Sequence, residues 1–325
     1  MAALCMASVS CGGGKTDEVT SDIERLAGVF WNTSCMDLNQ ERIDAMTEMQ
    51  VYADSCSNVE FERYCAAGKA EAVEMEKGSI LHYHQMALEK LVREIPEEKV
   101  EEGSVAIWQL YNMGYVVKTP SHCFAIDIKH REGERLVPFI DFSFITHNHD
   151  DHYTEAFVKA MADAGKPVYS NFLDNPYKLT DHETVKPLES SDIKFESWIT
   201  DHNARLVNFV VSYQIDCGED AGHIVIFDIG DTYNSSQLNP GMPTDIFIPH
   251  LAVGLDMPDA VKRVNPACVF MSHMLELGHA VDKWRWSFQY CLDSCDELRD
   301  ALAGSECENV GIYLPVWGEK VIYRR

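Results

Sequence analysis

Residues 142–152 read FSFITHNHDDH, and no other stretch of the sequence is as informative about fold and function. Its first five residues are mostly apolar, as expected of a short strand that is buried on both faces. His147 and His149 lie two positions apart, so an extended chain can point both side chains at one ion. Asp151 and His152 are adjacent and point apart, which suits a second ion beside the first. Imidazole and carboxylate ligands together match zinc, with manganese or iron as alternatives.

A second His-x-His pair, His82 and His84, lies in a segment whose apolar residues recur at helical spacing. Residues two positions apart on a helix lie about 200° apart around its axis, so these two rings cannot share an ion. We interpret this pair as structural. The same interpretation holds for four histidines that have no partner in register: His122, His130, His182 and His223.

The 147–152 cluster resembles the His-x-His-x-Asp-His motif of the metallo-β-lactamase superfamily. The resemblance continues along the chain, over roughly residues 104–280. Asp127 resembles the family's early Asp, which ends a strand and orients the metal loop. Asp231, in a Gly-Asp-Thr sequence, resembles the family's bridging carboxylate. The lactonase and phospholipase-D-like branch is the most similar, because of the start at residues 111–114 and the short segment between Asp231 and the last ligand.

This resemblance implies a dinuclear centre with two divalent ions, most often zinc, and a metal-bridging hydroxide as nucleophile. Asp151 is also implied as the group that passes a proton to the leaving group. The implied ligands are His147, His149 and His202 for the first ion, and Asp151, His152 and His273 for the second, with Asp231 bridging the two.

Two histidines compete for the place of the last ligand. His273 closes the apolar segment 268–271, and His250 closes the apolar segment 246–248. We expect His273 to be the ligand, because the family places its last ligand after the corresponding strand. His279 follows in the same loop, and we expect it to orient a ligand or to contact the substrate.

The pattern of predicted elements fits an α/β fold, the αββα sandwich that the resemblance implies, with an N-terminal helical extension. Residues 16–98 carry the helical periodicity, and residues 99–325 alternate strands with helices. Ser79 is expected to cap the last helix of the extension. The predicted helices are 16–28, 38–53, 60–77, 80–94, 153–164 and 257–264, and the predicted strands are 105–110, 114–118, 123–128, 142–146, 207–215, 223–227 and 267–271.

The net charge of the protein indicates which kinds of partner it can bind. Its 325 residues include 52 Asp and Glu against 27 Lys and Arg, a net charge of −25. This excess repels phosphate backbones and counts against nucleic acid as a partner. Two divalent ions contribute about +4, and Asp151, Asp231 and a hydroxide subtract three. The residual positive charge would attract anionic small molecules locally.

The first fifteen residues resemble the end of a bacterial lipoprotein signal peptide. Residues 2–9 are apolar or small, and Cys11 follows as the candidate for lipidation. The chain has no basic residue before this run, and its apolar part is short. We expect an exported, membrane-anchored lipoprotein, with a cytoplasmic protein as the alternative.

These observations predict a metal-dependent hydrolase that acts on a small ester, lactone or phosphodiester. The alternative is a non-catalytic, surface-anchored metal-binding protein that retains the fold. The complete set of seven implied ligands favours the enzyme, since a binding protein need not keep all of them.

Overall fold

The computed structural model describes residues 13–36, 38–180, 182–188, 191–251, 253–278 and 288–325. The predicted leader around Cys11 lies outside these residues. None of the described helices is long and apolar enough to cross a membrane. The helices are α1 (Gly13–Asn32), α2 (Gln40–Asp54), α3 (Asn58–Ala66), α4 (Lys69–Glu76), α5 (Ile80–Glu97), α6 (Glu155–Asp163), α7 (Met257–Val264) and α8 (Phe288–Leu302).

The helical extension follows the sequence prediction with one correction. The single helix predicted over residues 60–77 is wrong, because the chain turns extended at Ala67 and Gly68 and divides it into α3 and α4. Glycine at this position favours a helix end rather than a helix interior. Ser79 caps α5 as predicted, since its hydroxyl accepts a hydrogen bond from the Leu81 amide at 3.3 Å.

The strands form two stacked sheets. Within the described residues, one sheet has six strands in the order β13-β1-β2-β3-β4-β5, and the other has seven in the order β12-β11-β10-β9-β8-β7-β6. The strands are β1 (Ser104–Gln109), β2 (Tyr115–Lys118), β3 (Cys123–Ile126), β4 (Phe142–Phe144), β5 (Val168–Tyr169), β6 (Glu183–Pro187), β7 (Lys194–Thr200), β8 (Val210–Asp216), β9 (Val225–Asp228), β10 (Ile246–Ile248), β11 (Cys268–Phe270), β12 (Gly311–Tyr313) and β13 (Lys320–Arg324).

Both sheets mix parallel and antiparallel pairs. In the first, β1, β2 and β3 form the predicted antiparallel meander, and β4 lies parallel between β3 and β5. In the second, β9 to β12 are parallel and β6 to β9 are antiparallel. Because β9, β10 and β11 are parallel neighbours, the loops that follow them emerge at one edge of the sheet.

Apolar side chains fill the space between the sheets and cover their outer faces. Phe144 of β4 and Tyr213 of β8 meet between the sheets, with ring centroids 4.8 Å apart. On the outer face of the first sheet, Trp108 packs in the same apolar cluster as Leu88 of α5. Val261 of α7 belongs to the same cluster, together with Phe247 of β10 in the second sheet. The predicted αββα sandwich is therefore confirmed.

The helical extension shares its core with the sandwich. Arg42 of α2 is fully buried and makes a bidentate ion pair with Glu319, at 2.8 and 2.5 Å. Tyr83 of α5 donates a hydrogen bond of 2.7 Å to the Trp317 carbonyl. Since the loop between β12 and β13 carries both Glu319 and Trp317, it fixes the extension to the sandwich.

Two buried histidines also join these parts. The rings of His84, on α5, and His130, after β3, stack with centroids 4.2 Å apart and planes 9° apart. His130 Nδ1 accepts a hydrogen bond from the Glu132 amide (3.0 Å), and its Nε2 lies 3.3 Å from the His84 carbonyl. These contacts require a neutral ring with its proton on Nε2. Burial lowers the pKa of His130 to about 3.

We expect the free energy of unfolding to fall as the pH drops below about 6.5. The unfolded chain protonates His130 near that pH and the folded protein does not, so acid favours unfolding. The loss approaches about 1.4 kcal/mol per pH unit for this residue. Urea unfolding at about pH 7 and about pH 5 measures it. His130→Gln should reduce the difference, and an unchanged difference would contradict the role of His130.

Candidate metal centre

Loops from four strands meet at one edge of the sandwich. The loop after β4 carries four side chains, and the loops after β7, β9 and β11 contribute one each. Each loop leaves a short, buried strand that fixes where it begins. The side chains that meet are His147, His149, Asp151, His152, His202, Asp231 and His273.

The first group consists of His147, His149, His202 and one oxygen of Asp231, all within 4.8 Å of one another. His147 Nε2 lies 2.9 Å from His149 Nδ1. Asp231 Oδ2 lies 3.3 Å from His202 Nε2 and 3.7 Å from His147 Nε2. Three imidazoles and a carboxylate therefore surround one point, as in a tetrahedral zinc site.

The second group consists of Asp151, His152, His273 and the other oxygen of Asp231. Asp231 Oδ1 lies 3.3 Å from His152 Nε2 and 3.4 Å from His273 Nε2. Asp151 Oδ2 lies 3.5 and 3.7 Å from the same two nitrogens. The two Nε2 atoms are 3.4 Å apart. The carboxylate of Asp231 thus spans the two groups.

The donor atoms of the two groups are arranged to bind cations rather than to form hydrogen bonds with one another. Asp231 Oδ1 is buried and makes no hydrogen bond with any described residue, although two imidazole nitrogens are within 3.4 Å. Burial opposes ionisation of Asp231, but His250, His152 and His273 outweigh it and hold the pKa of its carboxyl well below the ordinary value. A buried, ionised oxygen surrounded by imidazole nitrogens is an arrangement that a divalent ion satisfies.

Asp127 and Thr146 fix two of the rings. Asp127 Oδ2 accepts hydrogen bonds from His152 Nδ1 (2.8 Å) and from the Thr146 hydroxyl (2.6 Å). Because that hydroxyl gives its only proton to Asp127, His147 Nδ1 must donate to it, at 3.0 Å. His147 and His152 therefore donate through Nδ1 and direct their Nε2 atoms to the two groups. Asp127 thus lies against the loop after β4 and contacts both Thr146 and His152.

His250 also lies in this cluster. Its ring stacks on His273, with centroids 3.8 Å apart and planes 17° apart, and its Nε2 is 3.8 Å from Asp231 Oδ2. His250 and His273, the two candidates for the last ligand, lie side by side, and His250 could hold an ion together with Asp231 and His273. Since β10 and β11 are parallel neighbours, the residues that follow them lie at the same edge of the sheet. His279 lies outside the described residues.

Two further residues near the ligands were not predicted to belong to the site. Glu276 lies on the loop after β11, with one carboxylate oxygen 3.5 Å from His273 Nδ1. Asn112 lies on the turn after β1 and donates a hydrogen bond of 3.1 Å to Asp151 Oδ2. Both contact a proposed ligand across loops that are distant in the sequence, so the spacing of neighbouring residues does not reveal them.

An open cavity of about 450 Å³ leads to the two groups. Asp231, His250 and His273 lie at its base, and Asn58 of α3 contributes to its wall. The helical extension therefore forms part of the cleft, so a molecule that reaches the cluster also meets the extension. The cleft is large enough for a small-molecule substrate.

Comparisons with solved structures found proteins of similar fold. No protein-family model matches the sequence, and no curated protein matches it. Igni18, a metallo hydrolase from the archaeon Ignicoccus hospitalis, aligns with a TM-score of 0.51 and 14% identity over 68% of this chain and 99% of its own. YhfI from Bacillus subtilis, a metallo-β-lactamase fold protein, aligns with a TM-score of 0.45 and 11% identity over 68% of this chain and 99% of its own.

The chain has an αββα sandwich fold like that of Igni18. At this identity the likeness concerns the fold, so the chemistry has to be argued from this chain's own side chains. The fold brings the loops after β4, β7, β9 and β11 to one edge, and in this protein those loops carry residues that could hold metal ions.

Proposed function

We propose that the protein is a dinuclear metal-dependent hydrolase. The observation that carries the proposal is the position of Asp231, whose Oδ2 faces nitrogens of the first group and whose Oδ1 faces nitrogens of the second. His147, His149 and His202 would hold the first ion, and Asp151, His152 and His273 the second. Zinc suits the nitrogen-rich donors best, with manganese or iron as alternatives.

Two bound divalent ions would lower the pKa of a water molecule to about 7 and polarise a carbonyl or phosphoryl oxygen. The chain's own residues hold the ligands in place and supply the proton for the leaving group. Asp151 is open to the cleft, with 25% of its side chain exposed, and Asn112 holds one of its oxygens. From this place the Asp151 carboxyl can take up a proton and pass it to the leaving group.

The cleft favours neutral substrates, namely esters or lactones, ahead of phosphodiesters. Asp150 and Glu276 add carboxylates to its wall, and the described lining residues include no lysine or arginine. These carboxylates oppose the attraction for anions that the ions alone would provide. The lactonase-like branch suggested by the sequence agrees with this preference.

A screen of the metal-loaded protein against lactones, carboxylic esters and phosphodiesters tests the proposal. We expect turnover of a lactone or ester, and lower kcat/KM for phosphodiesters of similar size. Phosphodiesters as the best substrates would overturn the preference for neutral substrates. Two bound ions without turnover of any class would favour a metal-binding protein.

Metal content distinguishes the roles of the two stacked histidines. We expect His273→Ala to lose the second ion, because its Nε2 lies within 3.7 Å of both Asp151 and Asp231. His250→Ala should keep two ions, because its Nε2 is 3.8 Å from Asp231 Oδ2 and the seven other ligands remain. Elemental analysis after dialysis measures both. The opposite result would make His250 the ligand.

A further inference from the structure

The turn between β1 and β2, residues 110–114, approaches the candidate metal centre from the first sheet. A Cβ on Gly114 would lie 2.7 Å from the Tyr111 carbonyl and 2.9 Å from the Asp127 carbonyl, so only glycine fits there. Asn112 has a left-handed backbone (φ 46°) and is fully buried. This close packing holds the turn against the segment that carries Asp127.

Asn112 contacts two of the proposed ligands, which come from different loops. Its side-chain amide donates to Asp151 Oδ2 at 3.1 Å. Its carbonyl accepts a hydrogen bond from the His273 backbone amide at 3.4 Å and another from the Gln109 side chain at 3.1 Å. One residue therefore sets the distance between the Asp151 carboxylate and the start of the His273 loop.

The same turn makes a second contact with that loop. The Tyr111 hydroxyl accepts a hydrogen bond of 3.2 Å from the Leu277 amide. Within the described part of the chain, no hydrogen bond from residues 110–114 reaches His147, His149 or His202. The turn thus supports the second group of ligands and not the first.

We propose that Asn112 is a positioning residue for the second ion. This inference rests on the proposed function, since it assumes that both groups bind metal. The amide holds the oxygen of Asp151 that faces His152 and His273, and a carboxylate oxygen has lone pairs for both the amide and an ion. Supporting hydrogen bonds of this kind are worth about 10–100-fold in metal affinity.

Asn112→Asp tests the proposal with little change of shape. Aspartate tolerates the left-handed backbone, but it replaces the N–H donor by an oxygen that repels Asp151. We expect zinc affinity at the second site to fall by about 10–100-fold and first-site affinity to stay within about twofold. Zinc titration of the metal-free full chain, read by calorimetry and elemental analysis, separates the two sites.

Asn265→Asp is the matched control. Asn265 also has a left-handed backbone (φ 49°), but it ends α7 away from the cleft, so both affinities should remain those of the unmodified protein. If Asn112→Asp does not fold, Asn112→Gly removes the amide and keeps the backbone conformation. Two ions bound with unchanged affinity, or an equal loss at both sites, would overturn the proposal. An unmodified protein that binds fewer than two ions would instead contradict the proposed function.

Discussion

Asp231→Asn is expected to remove the second ion and to lower kcat/KM by at least about 100-fold. Loss of a residue that merely supports a ligand costs about 10–100-fold, and Asp231 faces both groups directly. Asparagine keeps the shape but loses the charge, and its amide nitrogen cannot bind an ion. Elemental analysis and steady-state kinetics on the best substrate from the screen measure the two effects.

The matched control for this substitution is Asp245→Asn. Asp245 is as buried as Asp231, with 5% of each residue exposed. It lies just before β10, at the opposite edge of the sheet, where it accepts a hydrogen bond from the Val225 amide. Its replacement should lower stability and leave two ions bound. If Asp231→Asn also retained two ions and full activity, Asp231 would not bridge them.

Removal of metal is expected to abolish activity and to lower the unfolding temperature by several degrees. Ions that bind only the folded chain stabilise it by about 2.7 kcal/mol at a concentration 100 times their Kd. Each kcal/mol shifts the unfolding temperature of a large domain by about 2–4 °C. The buried, unsatisfied Asp231 Oδ1 is one local source of this dependence.

Thermal unfolding with chelator, and again after zinc is restored, measures the effect of removal. Activity and unfolding temperature should recover together. Asp231→Asn should show a smaller shift than the unmodified protein, because fewer ions bind it. An unfolding temperature that changes neither with chelator nor with zinc would contradict a metal centre held by the fold.

The sequence predicted the core of the candidate site because its residues obey local rules. His147 to His152 are contiguous, and Asp231 and His273 each follow an apolar strand. Parallel strands end at one edge, so ligands far apart in the chain meet there. The same rule applies to His250, which follows the neighbouring parallel strand and therefore lies against His273.

Other features depend on pairing between distant segments. Lys320–Arg324 alternates exposed and half-buried residues and becomes a strand by pairing with β1 from the far end of the chain. Asn112 contacts Asp151 only because a turn of the first sheet meets the loop after β4. Gly68 marks the break between α3 and α4, but the sequence on both sides of it has helical periodicity, which favours one continuous helix.

The central claim is that Asp231 joins two metal sites in one chain. Elemental analysis of the purified full chain, reconstituted with zinc or manganese and dialysed, counts the bound ions. The claim predicts about two transition-metal ions per chain, one for each group of ligands around Asp231. One ion or fewer per chain under both metals would contradict it.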